Sequence, residues 1–423
     1  QLVQRMDDVP PRAVGISAAM HALLPLDARH RPLMDILTWA DSRAAVLGRQ
    51  LRQSEEGRRL HRITGTPVHA MSPLVKMAWL ARQRPALHAR IGRLADLTSW
   101  CLMHWTGRHA TSEGLASAWG MWSLAQRQWH PAALPLAQVQ AGWLPEVLPA
   151  HTLAGTISGQ ARARWGLPAG VPVVAGGADG CLAQMAAGAL TPDQAVLTIG
   201  TSAAFRRTLS RPEVAASDGL FCYVLDEHRY VAGGASNNGG IAWQWLGALF
   251  GESQKDRLLQ AAMALPPGAE GLCCLPTLMG ERAPWWDEHA RAAFVGLTSR
   301  HTQAHLVRAL WEGVLANVAC IAEATVHHWG RPQLVVATGG FRQNEALLQM
   351  AADMLGVPVA TADRDAGAAA ALLAAEVMGQ RVPWPRPRPT IFPDEEKVAF
   401  YGRFKARWQG LYAALKSWFD PSE

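Results

Sequence analysis

The sequence lacks several features that mark whole classes of protein. No window of this 423-residue chain approaches the roughly 18 consecutive apolar residues that a membrane span needs. Its first twelve residues, QLVQRMDDVPPR, have no signal-peptide pattern. Internal repeats, low-complexity segments and long linkers are also missing. These absences predict a soluble, cytoplasmic protein with no membrane partner, and 423 residues suffice for two domains or more.

Charge of either sign is also sparse, at 17% of the residues. The formal net charge of +6 comes mostly from scattered arginines and includes no dense basic block, which argues against a nucleic-acid partner. A mildly basic surface suits anionic substrates such as a sugar acid or ATP. The six cysteines form no CxxC pair and none lies near histidine at metal-ligand spacing, so we interpret them as reduced core thiols.

The chain does contain buried-strand patterns that end in small residues. The three junctions lie at residues 171–177, 194–202 and 334–340. Helical patterns follow the first and the third, at residues 181–189 and 344–355. Strands that hand over to helices in this way indicate an α/β architecture. Backbone amides at such junctions can bind phosphate or ribose, since glycine permits close approach and a helix N-terminus favours anions.

The remaining patterns give the outline of the chain. Residues 12–17 and 22–26 predict two neighbouring strands, and residues 40–60 have helical periodicity. Beyond Pro393 the aromatic and aliphatic residues recur at helical spacing, which predicts a packing helix. The glycine-rich junctions place a domain boundary near residue 190.

Several blocks of the sequence resemble one family, the FGGY carbohydrate kinases. Residues 71–79, MSPLVKMAW, fit the first FGGY signature at every constrained position. Residues 292–312 resemble the second signature and depart from it at Leu310 and Trp311, which we interpret as core packing. Other family-like blocks occur in the family's order, at residues 144–157, 172–180, 197–202 and 337–359.

This resemblance implies a fold and a division into domains. It implies an α/β protein with two actin-like, ribonuclease H-like domains around a cleft that holds sugar and Mg-ATP. Residues 1–189 would form the sugar-binding domain, lacking its N-terminal strands, and residues 190–423 the nucleotide-binding domain. An actin-like or chaperone ATPase is the alternative within this fold, although the sugar-side blocks and both signatures oppose it.

The resemblance also implies the sugar-side residues. Asp179, in the block GGADG, would be the general base that accepts a proton from the sugar hydroxyl. Without the resemblance, Asp179 reads equally well as a cap of the following helix. The other substrate contacts would be Met20, His21, Trp39, Asp41, Arg43 and Gly180. Arg43 could pair with a substrate carboxylate, whereas Asp41 could simply cap a helix.

The nucleotide side is implied in the same way. The phosphates would bind at a loop, and the adenosine at glycines that admit it against the backbone. The implied ATP contacts are Gly200, Thr201, Ser202, Gly240, Gln244, Gly339, Gly340, Phe341 and Asn344. For Gln244 a solvated helix face is the alternative. ATP and Mg²⁺ would be required, and no metal ligand is identified.

The substrate rests on details of the resemblance. TWADSR at residues 38–43, Gly180 where xylulokinases tend to have asparagine, and GERAPWWD at residues 280–287 look most like gluconate kinases. We interpret Glu281 and Arg282 as structural, and as a candidate buried ion pair. Gluconate is therefore the expected acceptor, with xylulose or another pentulose or polyol as the alternative. The expected partners are the sugar or sugar acid and ATP, and a homodimer is the assembly to test.

One block that the resemblance implies is not found. The family opens with a strand, an Asp-x-Gly-Thr phosphate loop and a hairpin, and no Asp-x-Gly-Thr precedes residues 12–17 here. This predicts that the 423-residue chain alone folds poorly and has little kinase activity, because the transferring group loses charge compensation. A non-catalytic remnant that binds sugar or nucleotide is the corresponding alternative.

Overall fold

The computed structural model describes residues 11–419, and its two halves each contain one larger sheet. In the first half the strands are β1 (Val14–Ala18), β2 (Leu24–Leu26), β3 (Arg93–Ala95), β4 (Ala110–Ser112), β5 (Trp122–Ser123), β6 (Gln128–Trp129), β7 (Glu146–Leu148), β8 (Leu153–Thr156) and β9 (Pro172–Ala178). The helices are α1 (Ala45–Gln53), α2 (Glu55–Thr64), α3 (Pro73–Gln83), α4 (Pro85–His88), α5 (Leu97–Thr106), α6 (Glu113–Ala116), α7 (Ala133–Ala137), α8 (Gly159–Trp165) and α9 (Asp179–Ala186).

The second half has longer strands and the longest helices. Its strands are β10 (Gln194–Ile199), β11 (Ala203–Leu209), β12 (Phe221–Val224), β13 (Tyr230–Ser236), β14 (Cys273–Leu275), β15 (Ala293–Val295), β16 (Leu334–Thr338) and β17 (Val359–Thr361). Its helices are α10 (Gly240–Phe250), α11 (Lys255–Met263), α12 (Gln303–Trp329), α13 (Glu345–Leu355), α14 (Ala366–Val377) and α15 (Glu395–Leu415).

A six-stranded mixed sheet organises the second half, in the order β12-β13-β11-β10-β16-β17. β10 pairs in parallel with β16 from Gln194↔Leu334 to Thr198↔Thr338. Because parallel strands end at the same edge of a sheet, the two predicted glycine junctions after β10 and β16 lie side by side. On its other side β10 forms an antiparallel hairpin with β11, closed by the short segment 200–202.

A three-stranded sheet in the order β1-β9-β8 organises the first half. β1 pairs with β9 in parallel, while β2 pairs with β3, so the prediction that residues 12–17 and 22–26 form neighbouring strands is wrong. Proximity in sequence suggested the pairing, but the apolar β9 segment, which is distant in sequence, takes the edge of β1. Helix α14 of the second half packs against β1 and α9, which joins the halves at this sheet.

Helix α12, with 27 residues, is the longest helix of the second half and is mostly buried. It is the one helix within residues 11–419 that is long and apolar enough to cross a membrane, and 83% of its most apolar window is buried inside the protein. It packs against α11, α13, α15, β11 and β13. Its apolar residues therefore serve a core, as does the predicted packing helix beyond Pro393, which is α15 with Trp408 fully buried.

Candidate active site

Asp179 lies where the buried strand β9 ends and helix α9 begins. Its carboxylate accepts the backbone N–H of Gly180 at 2.7 Å. The helix cap position itself is Ala178, which makes no side-chain capping bond. Burial raises the pKa of Asp179, whereas the Gly180 amide and the nearby Arg206 charge oppose that rise. A carboxylate in this setting can accept a proton from a bound hydroxyl.

Asp179 opens into a cavity of about 340 Å³ between the two halves. Five of the residues predicted on the sugar or phosphate side share this cavity with it, namely Met20, His21, Trp39, Gly180 and Ser202. The volume is within the range of small-molecule sites. One wall comes from the first half, and the strands β10 and β11 supply the floor.

His21 is a neutral member of this wall. Its Nδ1 lies 2.8 Å from the carbonyl oxygen of Ala118, and its Nε2 lies 3.5 Å from the hydroxyl of Tyr223. Burial and the charge of Lys76 lower the pKa of His21 to about 3. Because Nδ1 must donate to the Ala118 carbonyl, Nε2 is left as an acceptor for a hydroxyl group.

Lys76, in the middle of the MSPLVKMAW block, links the backbone at His21 to the backbone just before Trp39. Its Nζ donates to the carbonyl oxygens of His21 at 2.6 Å, Thr38 at 2.8 Å and Leu37 at 3.3 Å. Only 1% of Lys76 is exposed, and burial lowers its pKa to about 7. The ammonium group thus cross-links two loops without itself lining the cavity.

A second cavity, of about 460 Å³, is lined by most of the residues predicted to bind ATP. They are Gly200, Thr201, Gly240, Gln244, Gly340, Phe341 and Asn344. Gly339 lies directly behind it with φ +88°, and a Cβ at this position would be 2.3 Å from the carbonyl oxygen of Ile199. Only glycine lets the β16 junction approach β10 so closely.

Helix α10 begins against the β10–β11 hairpin. The N–H of Gly240 donates to the carbonyl oxygen of Gly200 at 2.6 Å, and a Cβ on Gly240 would be 2.7 Å from that oxygen. The N-terminus of an eleven-residue helix is therefore held beside the loop at residues 200–202. The helix dipole favours an anion there, although the Gly240 and Ile241 amides themselves already donate to the carbonyl oxygens of Gly200 and Thr201.

The hairpin separates the two cavities. Thr198 and Ser202 line the cavity of Asp179, whereas Gly200 and Thr201 line the cavity of Gln244. A phosphoryl group that passes this hairpin leaves one cavity and enters the other. Two cavities that meet at a glycine-containing loop, one with a candidate base and one with a helix N-terminus, suit phosphoryl transfer from a nucleotide to a hydroxyl.

Known proteins share both sequence and fold with this chain. Residues 1–186 match the N-terminal domain of the FGGY family of carbohydrate kinases, and residues 195–377 match its C-terminal domain. A gluconokinase of Bacillus licheniformis is 31% identical over 84% of this chain and 71% of its own length. The chain belongs to the FGGY family of carbohydrate kinases.

Solved structures agree with that assignment. The gluconate kinase of Lactobacillus acidophilus matches with a TM-score of 0.91 at 28% identity, over 98% of this chain and 86% of its own. A xylulose kinase of the same organism matches with a TM-score of 0.92 at 27% identity, with the same coverage. The two-domain, actin-like α/β fold expected from the sequence is confirmed, and the chain is a carbohydrate kinase that uses ATP.

Two predicted sugar contacts of this FGGY kinase, Asp41 and Arg43, do not line the cavity of Asp179. Asp41 and Arg43 pair with each other, with Arg43 Nε 3.1 Å from both carboxylate oxygens. The Arg43 guanidinium stacks over Trp79 at 5.3 Å, and its side chain is 50% exposed. Because Asp41 already neutralises its charge in this structure, Arg43 is less suited to pair with a substrate carboxylate, and the predicted sugar contacts at Asp41 and Arg43 stay predictions.

The sequence also missed residues that line the kinase's cavities. The cavity of Asp179 is also lined by Arg206, Tyr223 and Arg282, and the cavity of Gln244 is also lined by Trp243 and Trp311. Trp311 is 3% exposed, which agrees with the core packing predicted for it, but it also lines the cavity of Gln244. Its buried indole nitrogen has no hydrogen-bond partner within the described residues. No local motif distinguishes these residues, because strand and helix packing alone brings them to the cleft.

Glu281 and Arg282 do not form the predicted ion pair. The Glu281 carboxylate accepts from Ser236 Oγ, Asn317 Nδ2 and backbone amides, including the Arg282 N–H at 2.7 Å. The Arg282 guanidinium turns the other way and donates to the Ser236 carbonyl at 3.1 Å. The motif therefore positions a charged side chain in the cleft in addition to its structural role.

A larger cavity, of about 790 Å³, lies elsewhere, between α2 and residues 214–219. It contains none of the residues predicted for sugar or ATP. Size alone thus does not mark the active site, whereas the grouping of a candidate base, a phosphate loop and a nucleotide cavity does. No cluster of three or more His, Cys, Asp or Glu that could hold a metal occurs in residues 11–419.

Proposed function

We propose that this kinase phosphorylates D-gluconate at its terminal hydroxyl, giving 6-phosphogluconate and ADP, with Asp179 as the general base. The proposal is supported above all by the position of Asp179 in a sugar-sized cavity that adjoins the nucleotide cavity across one hairpin. The named gluconokinase relatives favour gluconate over other acceptors.

The chemistry follows from this arrangement. Asp179 takes the proton of the C6 hydroxyl while that oxygen attacks the γ-phosphorus of ATP. The bond between the γ-phosphorus and the β,γ-bridging oxygen breaks, and ADP leaves with the electron pair. Desolvation in the cleft raises the pKa of Asp179, which makes its carboxylate a stronger base than a fully hydrated aspartate.

The nucleotide would lie in the second cavity. The segment Gly200-Thr201-Ser202 would hold the β- and γ-phosphates, chiefly through the hydroxyls of Thr201 and Ser202, with the dipole of α10 beside them. The Gly200 amide is already committed, because it donates to the Ser202 carbonyl at 3.0 Å. Adenosine would pack near Gly339-Gly340 and Phe341, with Gln244 and Asn344 at its margin. Part of the Asn344 side chain is already committed, because it caps α13 by accepting the Leu347 N–H at 3.0 Å.

Magnesium fits this site in the manner usual for kinases. Mg²⁺ is commonly bound by phosphate oxygens, water and one or two carboxylates, without a dedicated protein cage. The absence of a three-ligand cluster in the described residues is compatible with that mode. Asp179 is the carboxylate on the sugar side, and bound Mg²⁺ would offset charge on the transferring phosphoryl group.

A substrate panel tests the proposal. Purified protein is assayed for ADP release with gluconate, xylulose, ribulose, glycerol and erythritol. We expect the highest kcat/KM with gluconate, and we expect Asp179→Asn to lower kcat by about 10²- to 10⁴-fold because general-base catalysis contributes that much. Full activity of Asp179→Asn, or a clear preference for another acceptor, would contradict the proposal.

Xylulose is the second candidate substrate, favoured by the TM-score of 0.92 to a xylulose kinase. It is neutral, so the panel separates it from gluconate directly. ATP binding without turnover of any sugar would instead favour the non-catalytic remnant. Sugar-independent ATP hydrolysis would favour the chaperone-like ATPase, and size-exclusion chromatography of the same sample tests the homodimer.

A further inference from the structure

We propose that Arg206 and Arg282 together form a subsite that binds the carboxylate of a sugar acid. The inference rests on the proposed function, because it explains how the cavity would recognise the acid group of a gluconate-type substrate. Both side chains line the same cavity as Asp179.

Arg282 has unused hydrogen-bonding capacity on the sugar wall. Its guanidinium lies 5.4 Å from the ring centroid of Trp39, and Nη2 donates to the Ser236 carbonyl. The Nε atom is buried and has no partner within the described residues. A guanidinium held by one bond and one aromatic face is oriented, yet still has donors free for a planar anion.

Arg206 approaches from the floor of the cavity, on β11. Its Nη1 donates to Thr198 Oγ1 at 3.0 Å. A Cβ built on Gly180 would be 3.5 Å from Nη2 and 3.7 Å from Nε, so the guanidinium lies directly against the Asp179-Gly180 segment. Any side chain at position 180 would extend towards this guanidinium.

The residues that line the cavity carry more positive than negative charge. Asp179 is the one carboxylate among them, against two guanidinium groups, and His21 is neutral. Asp179 is the main opposite charge that acts on Arg206, and Glu281, which does not line the cavity, is that of Arg282. The buried Arg282 Nε still has no acceptor within residues 11–419, so a carboxylate that accepts from it would be stabilised here.

The same charge could serve the γ-phosphate of ATP, which is the competing anion. Arg282 favours the sugar, because it stacks on Trp39, a residue of the first half that does not line the cavity of Gln244. Neither arginine lines the cavity that contains Gln244 and Phe341. Arginine also recognises a carboxylate through two parallel hydrogen bonds, which a neutral hydroxyl cannot accept in the same geometry.

Binding of an acid and of its neutral isostere tests the subsite. Dissociation constants for D-gluconate and D-gluconamide are measured by titration calorimetry on the wild-type protein, Arg206→Gln and Arg282→Gln, and KM for ATP is measured in parallel. We expect each variant to bind gluconate about 10- to 100-fold more weakly, as for a lost charged hydrogen bond. Gluconamide binding and KM for ATP should change less than about threefold, in keeping with a carboxylate-specific contact.

The exposed Arg403 on α15 supplies the matched control, so Arg403→Gln should behave as wild type. Equal weakening of both ligands, an unchanged gluconate preference in both variants, or a raised KM for ATP would overturn the subsite. An effect of one arginine alone would overturn the paired arrangement. If the wild-type protein accepts another aldonate, only the gluconate proposal is refuted, and the variants are then measured with that acid. If the protein accepts neutral sugars alone, the gluconate proposal and the arginine subsite are both refuted.

Discussion

Replacing Lys76 by methionine should weaken sugar binding without touching the cavity itself. Methionine keeps much of the buried stem but removes the donors that link the His21, Leu37 and Thr38 carbonyls. A hydrogen bond from a charged donor contributes about 1.5–3 kcal/mol. We assume that losing the lysine costs sugar binding the free energy of one such bond, because His21 and Trp39 are then held less firmly in place. The KM for the sugar should then rise by about 10- to 150-fold.

The same variant should leave the nucleotide site intact, since Lys76 borders neither cavity. Initial rates at varied sugar and varied ATP separate the two effects, and KM for ATP should change less than about twofold because no ATP contact is lost. Lys397→Met, an exposed lysine on α15, is the control. Thermal melting confirms that both variants are folded. An unchanged sugar KM in folded Lys76→Met would refute the cross-linking role.

A pH dependence sharpens this test. The ammonium form of Lys76 has three N–H donors for three carbonyl acceptors, and the neutral amine has two. Burial lowers the pKa of Lys76 to about 7, so the third donor is lost as pH rises through neutrality. The sugar KM of the wild-type protein should therefore increase above about pH 7, whereas that of Lys76→Met should not, because methionine has no proton to lose. Parallel profiles would contradict the reasoning.

Two further predictions concern the junction glycine and the base. Gly339→Ala should lower the free energy of unfolding by about 1–3 kcal/mol and raise KM for ATP, because φ is +88° and the Cβ would contact Ile199. Gly340→Ala, where a Cβ meets nothing within 4 Å, is the control for the unfolding measurement alone, because Gly340 lines the cavity of Gln244. Arg206→Gln should move the acidic limb of the kcat–pH profile to higher pH, since Arg206 lowers the pKa of Asp179; a shift to lower pH would show the wrong sign.

The sequence predicted the local elements of the cleft well. Residues 194–199 form β10 as predicted, and the patterns at 334–337 and 344–355 correspond to β16 and α13 within one residue at each end. These segments are continuous apolar runs that end at glycine or at a capping asparagine, so their boundaries depend on local chemistry. The phosphate-loop and adenosine residues come from the resemblance to the family, and their roles stay predictions.

Long-range pairing and charge placement could not be read in the same way. The partner of β1 is β9, more than a hundred residues away, and nothing in the β1 sequence specifies it. Arg43 was a candidate carboxylate partner because it belongs to the family-like segment TWADSR, whereas Arg206 is one of two adjacent arginines on a strand. Alternation along β11 sends Arg206 to the cavity and Arg207 to the Gly330 carbonyl, and only the fold reveals which is which.

The single hairpin between β10 and β11 has a consequence for how such a kinase can evolve. Because Thr198 and Ser202 face one ligand while Gly200 and Thr201 face the other, a mutation in this turn alters affinity for both substrates at once. A change of acceptor that leaves nucleotide binding intact is therefore expected from substitutions on the outer wall, at positions such as Trp39 and Arg282, which line the cavity of Asp179 and not that of Gln244.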